Sequence, residues 1–290
     1  MQCVAIVYKR SRPEAAKLAR IIKDWLTSRH VEVLCQENVD QQGRSCASSP
    51  KLEIPPQAQT VIVLGGDGTL LSVARFLAGR TTPVMGINLG GLGFLTEINM
   101  EDCFRELKEI LGNNYEIEER MRLEVTIQRD GQEVIRQSVL NDAVINKGAL
   151  ARIIDIKTSI DGKYLTNYRA DGLIVATPTG STAYNLSAGG PIVYPTARVV
   201  VLTPICPFTL THRPIILPSE VVIQVEIVGP ARDLTLTCDG QVGCELSPLD
   251  RIRISTQASP LRLIKTPSIN YFEILRTKLK WGQAELRPLP

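Results

Sequence analysis

Glycine-dense turns and one long run of small hydroxylated residues are where this 290-residue chain could do chemistry. The sharpest is Leu64-Gly65-Gly66-Asp67-Gly68-Thr69, set between an apolar run and a helix-like segment. Glycines let a backbone close on a phosphate, and a following helix offers free N–H groups and a partial positive charge. The aspartate has another use: to accept a proton from a hydroxyl, or to help hold a divalent cation beside phosphates. A tight strand-to-helix turn with a capping Asp would carry the same residues, so the loop alone leaves both readings open.

Three further stretches accompany it. Asn88-Leu89-Gly90-Gly91-Leu92-Gly93-Phe94-Leu95 could bring backbone amides to the same edge, or its glycines could serve close packing. Asn141-Asp142 has donors and acceptors suited to an adenine edge or ribose hydroxyls, although such a dipeptide is usually a turn. The segment from Tyr168 to Pro191 brackets a short apolar strand with glycine, serine and threonine, and with Tyr184 available to stack on a planar ligand. Loop packing would explain its glycines but not its cluster of hydroxyls. Cys238-Asp239-Gly240-Gln241 is a further small polar turn.

Counting removes other chemistries. Two histidines, His30 and His212, and no Cys-x-x-Cys leave no ligand set for tetrahedral zinc, and without a G-x-S-x-G elbow nothing points to a Ser-His-Asp triad. The Walker A and G-x-G-x-x-G patterns are absent. Lys+Arg 33 against Asp+Glu 30 and 5% aromatics do not suggest a nucleic-acid partner. No apolar run approaches the roughly 20 residues that span a bilayer, and the first residues do not read as a signal peptide. Seven cysteines without regular spacing fit a reducing compartment, so a cytoplasmic protein is expected.

These loops need elements to hold them. Up to about residue 120, short apolar runs (4–7, 31–34, 61–64, 83–89) alternate with helical patterns. One helix starts at Pro13, one runs from Leu70 to a stop at Gly79, and one is capped by Asn99 or Asp102. This predicts parallel βαβ units in a Rossmann-like α/β domain over 1–120. Residues 41–59, rich in Ser, Pro, Gln and Gly, are expected to be a loop. From 121 to 265 the period falls to two, with Asp130-Gly131 and Asp161-Gly162 as hairpin signals, which predicts an all-β sandwich-like domain. The tail, 266–290, is expected to return to the first domain.

In order along the chain, GGDGT, the glycine-rich GFL turn, the Asn-Asp pair, DG-x-x-x-x-TPTGSTAY and DGQ resemble the NAD kinase family. GGDGT alone is shared with lipid kinases and, with variation, 6-phosphofructokinases; TPTGSTAYNLSAGGP separates NAD kinases from both. The resemblance implies transfer of the γ-phosphoryl of ATP, or of inorganic polyphosphate, to the 2′-hydroxyl of the adenosine ribose of NAD. Asp67 would accept the proton, and Gly65, Gly66, Gly68 and Thr69 would hold the donor phosphates. Asn141, Asp142, Thr182, Ala183, Tyr184, Asn185, Leu186 and Ser187 would bind NAD, joined by Asp67, Gly68, Arg152, Arg169 and Gln241. Mg²⁺ would ride on the substrate phosphates. Asp171 would reach a neighbouring subunit's site, which implies a dimer or tetramer with NAD at the interface. The alternatives weighed are a diacylglycerol-type lipid kinase and a non-catalytic dinucleotide sensor.

Overall fold

A computed structural model describes residues 1–38, 44–45, 52–148, 153–229, 233–265 and 270–281. Its first part is built on an open sheet in the spatial order Glu32–Asn38, Cys3–Lys9, Thr60–Leu64, Val84–Asn88, Leu261–Lys265, Glu116–Arg120. The first four strands run parallel and the fifth joins Val84–Asn88 in parallel, while Glu116–Arg120 closes the edge antiparallel. Thr60–Leu64 and Val84–Asn88 are buried throughout, which is why both read as continuous apolar runs. Helix Pro13–Thr27 starts on a proline, as a first helical turn allows, and packs Leu18, Ala19, Ile22 and Leu26 on one face of the sheet. Helix Asp67–Phe76 covers the other face with Leu70, Leu71, Val73 and Ala74.

From Cys3–Lys9 the chain steps outward to Glu32–Asn38, then returns to the opposite side as Thr60–Leu64. The loops after Lys9 and after Leu64 therefore leave the carboxyl edge in opposite directions. Between them opens the crevice where such sheets bind ligands.

The second part is a sandwich of two antiparallel sheets sharing one core, in which Val125, Ile145, Leu173, Val225 and Ile254 are fully enclosed. One sheet runs Ile215–Pro218, Val199–Ile205, Gly172–Ala176, Asp142–Lys147, Leu234–Cys238, Val242–Leu246; the other runs Lys163–Ala170, Ile154–Ile160, Ile223–Val228, Arg251–Thr256, Leu123–Arg129, Gln132–Val139. Both expected Asp-Gly hairpins form, Asp130 and Asp161 taking φ of 51° and 50° ahead of left-handed glycines.

Several expectations change. Leu261–Lys265, counted with the sandwich on its alternation, belongs to the parallel sheet, because Leu261 and Leu263 are needed to complete that core. The described part of the tail, 270–281, holds helix Tyr271–Leu279, capped by Asn270, whose Oδ1 accepts from Phe272 N at 2.9 Å. Asp102 does not cap its helix; its carboxylate pairs with Arg105 at 3.0 Å. Within the expected 41–59 loop, Arg44–Ser45 pairs in parallel with Val242 and Gly243, and Ile54 and Ala58 are buried. The rest of that loop up to residue 51 lies outside the described residues.

Candidate active site

Helix Asp67–Phe76 begins at Gly66 with no side chain capping it. Gly65 has no room for a side chain: a Cβ there would lie 2.5 Å from Thr69 Oγ1. Thr69 is itself buried, so its hydroxyl packs on Gly65 and does not reach the crevice. Gly65, Gly66 and Asp67 line that crevice together with Asn88, Gly90, Gly91 and Gly93 of the second glycine-rich turn, and the two turns thus share one cleft of about 360 Å³.

Asp67 holds the second turn in place. Its Oδ1 accepts from Leu95 N, Thr96 N and Thr96 Oγ1, each at 3.0 Å, and its Oδ2 accepts from Phe94 N at 2.9 Å. Asn88 works from the opposite side, donating through Nδ2 to Gly91 O and Thr96 Oγ1 and accepting from Gly90 N at 2.8 Å. Oδ2 of Asp67 keeps a lone pair open. The site therefore offers a charged acceptor of fixed direction at a helix N-terminus, surrounded by backbone N–H groups.

A second cavity, also about 360 Å³, lies on the sandwich. Asp142, Val144 and Asn146 point the same way because side chains alternate along a strand. Thr237, opposite Val144 on the neighbouring strand, extends that floor. Asn141, Ala183, Tyr184, Asp239 and Gly240 complete the lining. Gly180 seats its loop on Asn141, whose carbonyl oxygen would be 2.0 Å from a Cβ there. Asn141 Oδ1 is buried and has no hydrogen-bond partner among the described residues, an acceptor left for a ligand.

Asp239 sets the electrostatics of this floor. At the left-handed first position of an Asp-Gly turn, it accepts from the backbone N–H of Leu140, Asn141 and Asp142 at 2.7–3.3 Å. Burial pushes its carboxyl upward; those three donors and the positive charge of Arg75 work against that. Asp142 has no such support. Burial and the neighbouring Asp239 push it up to about 7.

Gln241 joins the two cavities. Its Nε2 donates to Gly68 O at 2.6 Å and its Oε1 accepts from Arg75 at 3.0 Å. The loop that carries Asp67 is thereby tied to the turn that carries Asp239.

Residues 4–115 match the family model for the ATP-NAD kinase N-terminal domain, and residues 140–266 match that for the ATP-NAD kinase C-terminal domain. The chain belongs to the NAD kinase family. An NAD kinase of Syntrophobacter fumaroxidans is 62% identical over 98% of this chain and all of its own length, and one of Geotalea daltonii is 47% identical over the same shares. The structure of an Archaeoglobus fulgidus NAD kinase in complex with ATP superposes with a TM-score of 0.76 at 28% identity, covering 96% of this chain and 99% of that one. Yeast NADH kinase complexed with NADH, at 24% identity, shares the fold with a TM-score of 0.84, covering all of this chain and 90% of that one. Membership of this family sets the lipid-kinase alternative aside.

Of the residues matched to NAD kinase motifs, the structure brings Asn141, Asp142, Ala183 and Tyr184 into one cavity and Gly65, Gly66 and Asp67 into the other. Gly68 and Gln241 meet where the two approach. The hydroxyls of the TPTGST segment turn inward: Thr177 donates to Leu140 O, Ser181 to Pro178 O, and Thr182 to Thr179 O. Asn185 is fully buried, with Nδ2 donating to Ser181 O and Pro191 O and Oδ1 accepting from Thr203. It shapes the loop and does not line the cavity. Loop packing thus accounts for most of that hydroxyl cluster. Leu186 and Ser187 follow on the same turn outside the lining. Arg169 lies exposed over the Phe208 ring at 5.3 Å, and Asp171 pairs with Lys147 at 3.5 Å; neither lines the cavity of its own chain. Arg152 lies outside the described residues.

The motifs include Asn88 and Asp239 without giving either a role, and they leave out Thr96; these three position the others. A usable signal existed for Asn88, the last residue of a buried strand at the sheet's carboxyl edge.

Proposed function

We propose that this NAD kinase family member transfers the γ-phosphoryl of ATP to the 2′-hydroxyl of the adenosine ribose of NAD, yielding NADP and ADP. The observation that carries the reading is Asp67 Oδ2, a carboxylate oxygen with one hydrogen bond, fixed in a glycine-lined cleft beside the sandwich cavity. In the reaction the 2′-oxygen attacks the γ-phosphorus, the bond from that phosphorus to the β,γ-bridging oxygen breaks, and the hydroxyl proton passes to Oδ2. A ribose hydroxyl is a poor nucleophile at neutral pH, and phosphoryl transfer otherwise asks mainly for positioning and charge neutralisation.

The adenosine half of NAD is assigned to the cavity of Asn141, Asp142, Ala183 and Tyr184, with the open Oδ1 of Asn141 as acceptor for an adenine or ribose donor. Mg²⁺ enters as part of the donor. The cleft lining holds one carboxylate, Asp67, which fits a cation carried on phosphates better than a protein cage. The proposed assembly is a homo-oligomer, dimer or tetramer, with Asp171 completing a neighbour's site; its place outside its own chain's cavity supports this. A cytoplasmic location is proposed from the cysteines, all free thiols among the described residues. No described helix is long and apolar enough to cross a membrane.

The test is incubation with NAD, ATP and Mg²⁺, read by an NADP-specific dehydrogenase, beside Asp67→Asn and beside polyphosphate as donor. NADP from the wild type, with turnover about 10²–10⁴ lower in Asp67→Asn while NAD still binds, supports the reading. Retained NAD binding without NADP from either donor would return the non-catalytic sensor.

A further inference from the structure

Three cations line the cleft of Asp67: Lys9, Arg12 and Lys278. They come from separate elements. Lys9 ends the first strand, Arg12 precedes the first helix, and Lys278 sits in the last turn of helix Tyr271–Leu279. Among the described residues none of the three forms an ion pair, although adjacent Arg10 reaches Glu37 at 3.7 Å. Asp67 is the one carboxylate of the lining, so three positive charges converge against one negative. Such an excess is unfavourable until an anion arrives, and it attracts one. Leu89 is the one large apolar side chain among the lining residues, so recognition there rests on charge and on backbone N–H groups.

The position of Lys278 is built, not incidental. Ile274 and Leu275 bury its helix, and Tyr271 sets that helix edge-on against Tyr194, with ring centroids 5.3 Å apart. Tyr194 belongs to the sandwich half, so the helix carrying Lys278 is registered against that half too.

Resting on the proposed reaction, we infer that Lys278 is a donor-binding residue whose ammonium, with Lys9 and Arg12, holds a chain of phosphates against the Gly65-Gly66 and Gly90-Gly91 backbones. The ligand class is a linear polyphosphate, as the tail of a nucleoside triphosphate or free.

The experiment measures binding of inorganic tripolyphosphate by calorimetry, without NAD, to the wild type, Lys278→Gln, Lys278→Arg and Lys163→Gln. The last removes an equal charge from the exposed start of a distant strand. The expected result is a Kd raised about tenfold by Lys278→Gln, nearly restored by Lys278→Arg, and unmoved by Lys163→Gln. KM for ATP should rise with it while the Kd for NAD stays fixed. A wild type that does not bind tripolyphosphate, or a Lys278→Gln protein that binds it as tightly, would overturn the assignment. Because the binding arm needs no turnover, failure of the NAD kinase reading alone would leave tripolyphosphate binding intact.

Discussion

Asp67 and Thr96 are joined twice: the backbone N–H and the hydroxyl of Thr96 both donate to Asp67 Oδ1 at 3.0 Å. The carboxylate proposed to take the substrate's proton is therefore also the clasp between the two glycine-rich turns. Oδ1 takes three of the four bonds to that turn, while Oδ2 takes one, from Phe94 N, and keeps a lone pair to spare. Substitutions at this residue disturb architecture and chemistry together, so cleaner tests lie beside it.

Gly93 is such a place. A Cβ there would fall 2.2 Å from Asp67 Oδ1 and 2.5 Å from Thr96 Oγ1. Gly93→Ala must push the carboxylate out of its clasp while leaving the acid in the sequence. The expected outcome is a fall in kcat of about 10² or more, since small misplacements of a reacting group cost rates of that order. NAD affinity, measured separately by fluorescence titration, should change little.

Gln241 tests the link between the halves. Gln241→Glu keeps the size but replaces the donor to Gly68 O with a carboxylate oxygen, and two acceptors then face each other across 2.6 Å. Steady-state kinetics should show kcat/KM down about tenfold, the loss expected when one hydrogen bond becomes a repulsion. Gln241→Ala should fall less. Equal activity in all three proteins would mean that the link positions nothing.

The buried strands and glycine turns were legible because strand burial and strand-to-helix geometry act over a few residues. Val61-Ile62-Val63-Leu64 and the glycines after it announce a parallel strand and its crevice. Leu261–Lys265 reads in the sequence like a sandwich strand because alternation reports one buried face and not which sheet supplies it. Asn185 poses a related ambiguity. A polar side chain in a glycine-rich loop serves a ligand or the loop itself, and only the positions of Ser181, Pro191 and Thr203 decide between them. Lys9, Arg12 and Lys278 lie far apart in sequence and meet only because three elements end at one edge.

Asn185 then predicts a stability defect. Asn185→Asp removes the donor to two buried carbonyl groups and sets a charge in their place, while Thr203 loses nothing. Denaturant melts should show a loss of about 2–4 kcal/mol, from unmade hydrogen bonds and a desolvated carboxylate. For the fraction that folds, KM for NAD should stay near the wild-type value, because the side chain faces away from the cavity.

The pH dependence follows from Asp142, held at about 7 by burial and by the charge of Asp239. A free aspartate titrates near 3.9. Between those values the folded protein holds a proton that the unfolded chain has released, so stability falls as pH rises through that window. Above 7 the carboxylate is charged in both states and the full penalty is present. At about 1.4 kcal/mol per unit this amounts to roughly 4 kcal/mol at pH 8. Asp142→Asn removes the titration and keeps the shape. Its melting temperature should lie near that of the wild type at pH 5 and increasingly above it toward pH 8. If the two curves run parallel across that range, the proton is not on Asp142. The acid would then have to be sought at Asp239, where three backbone donors oppose it.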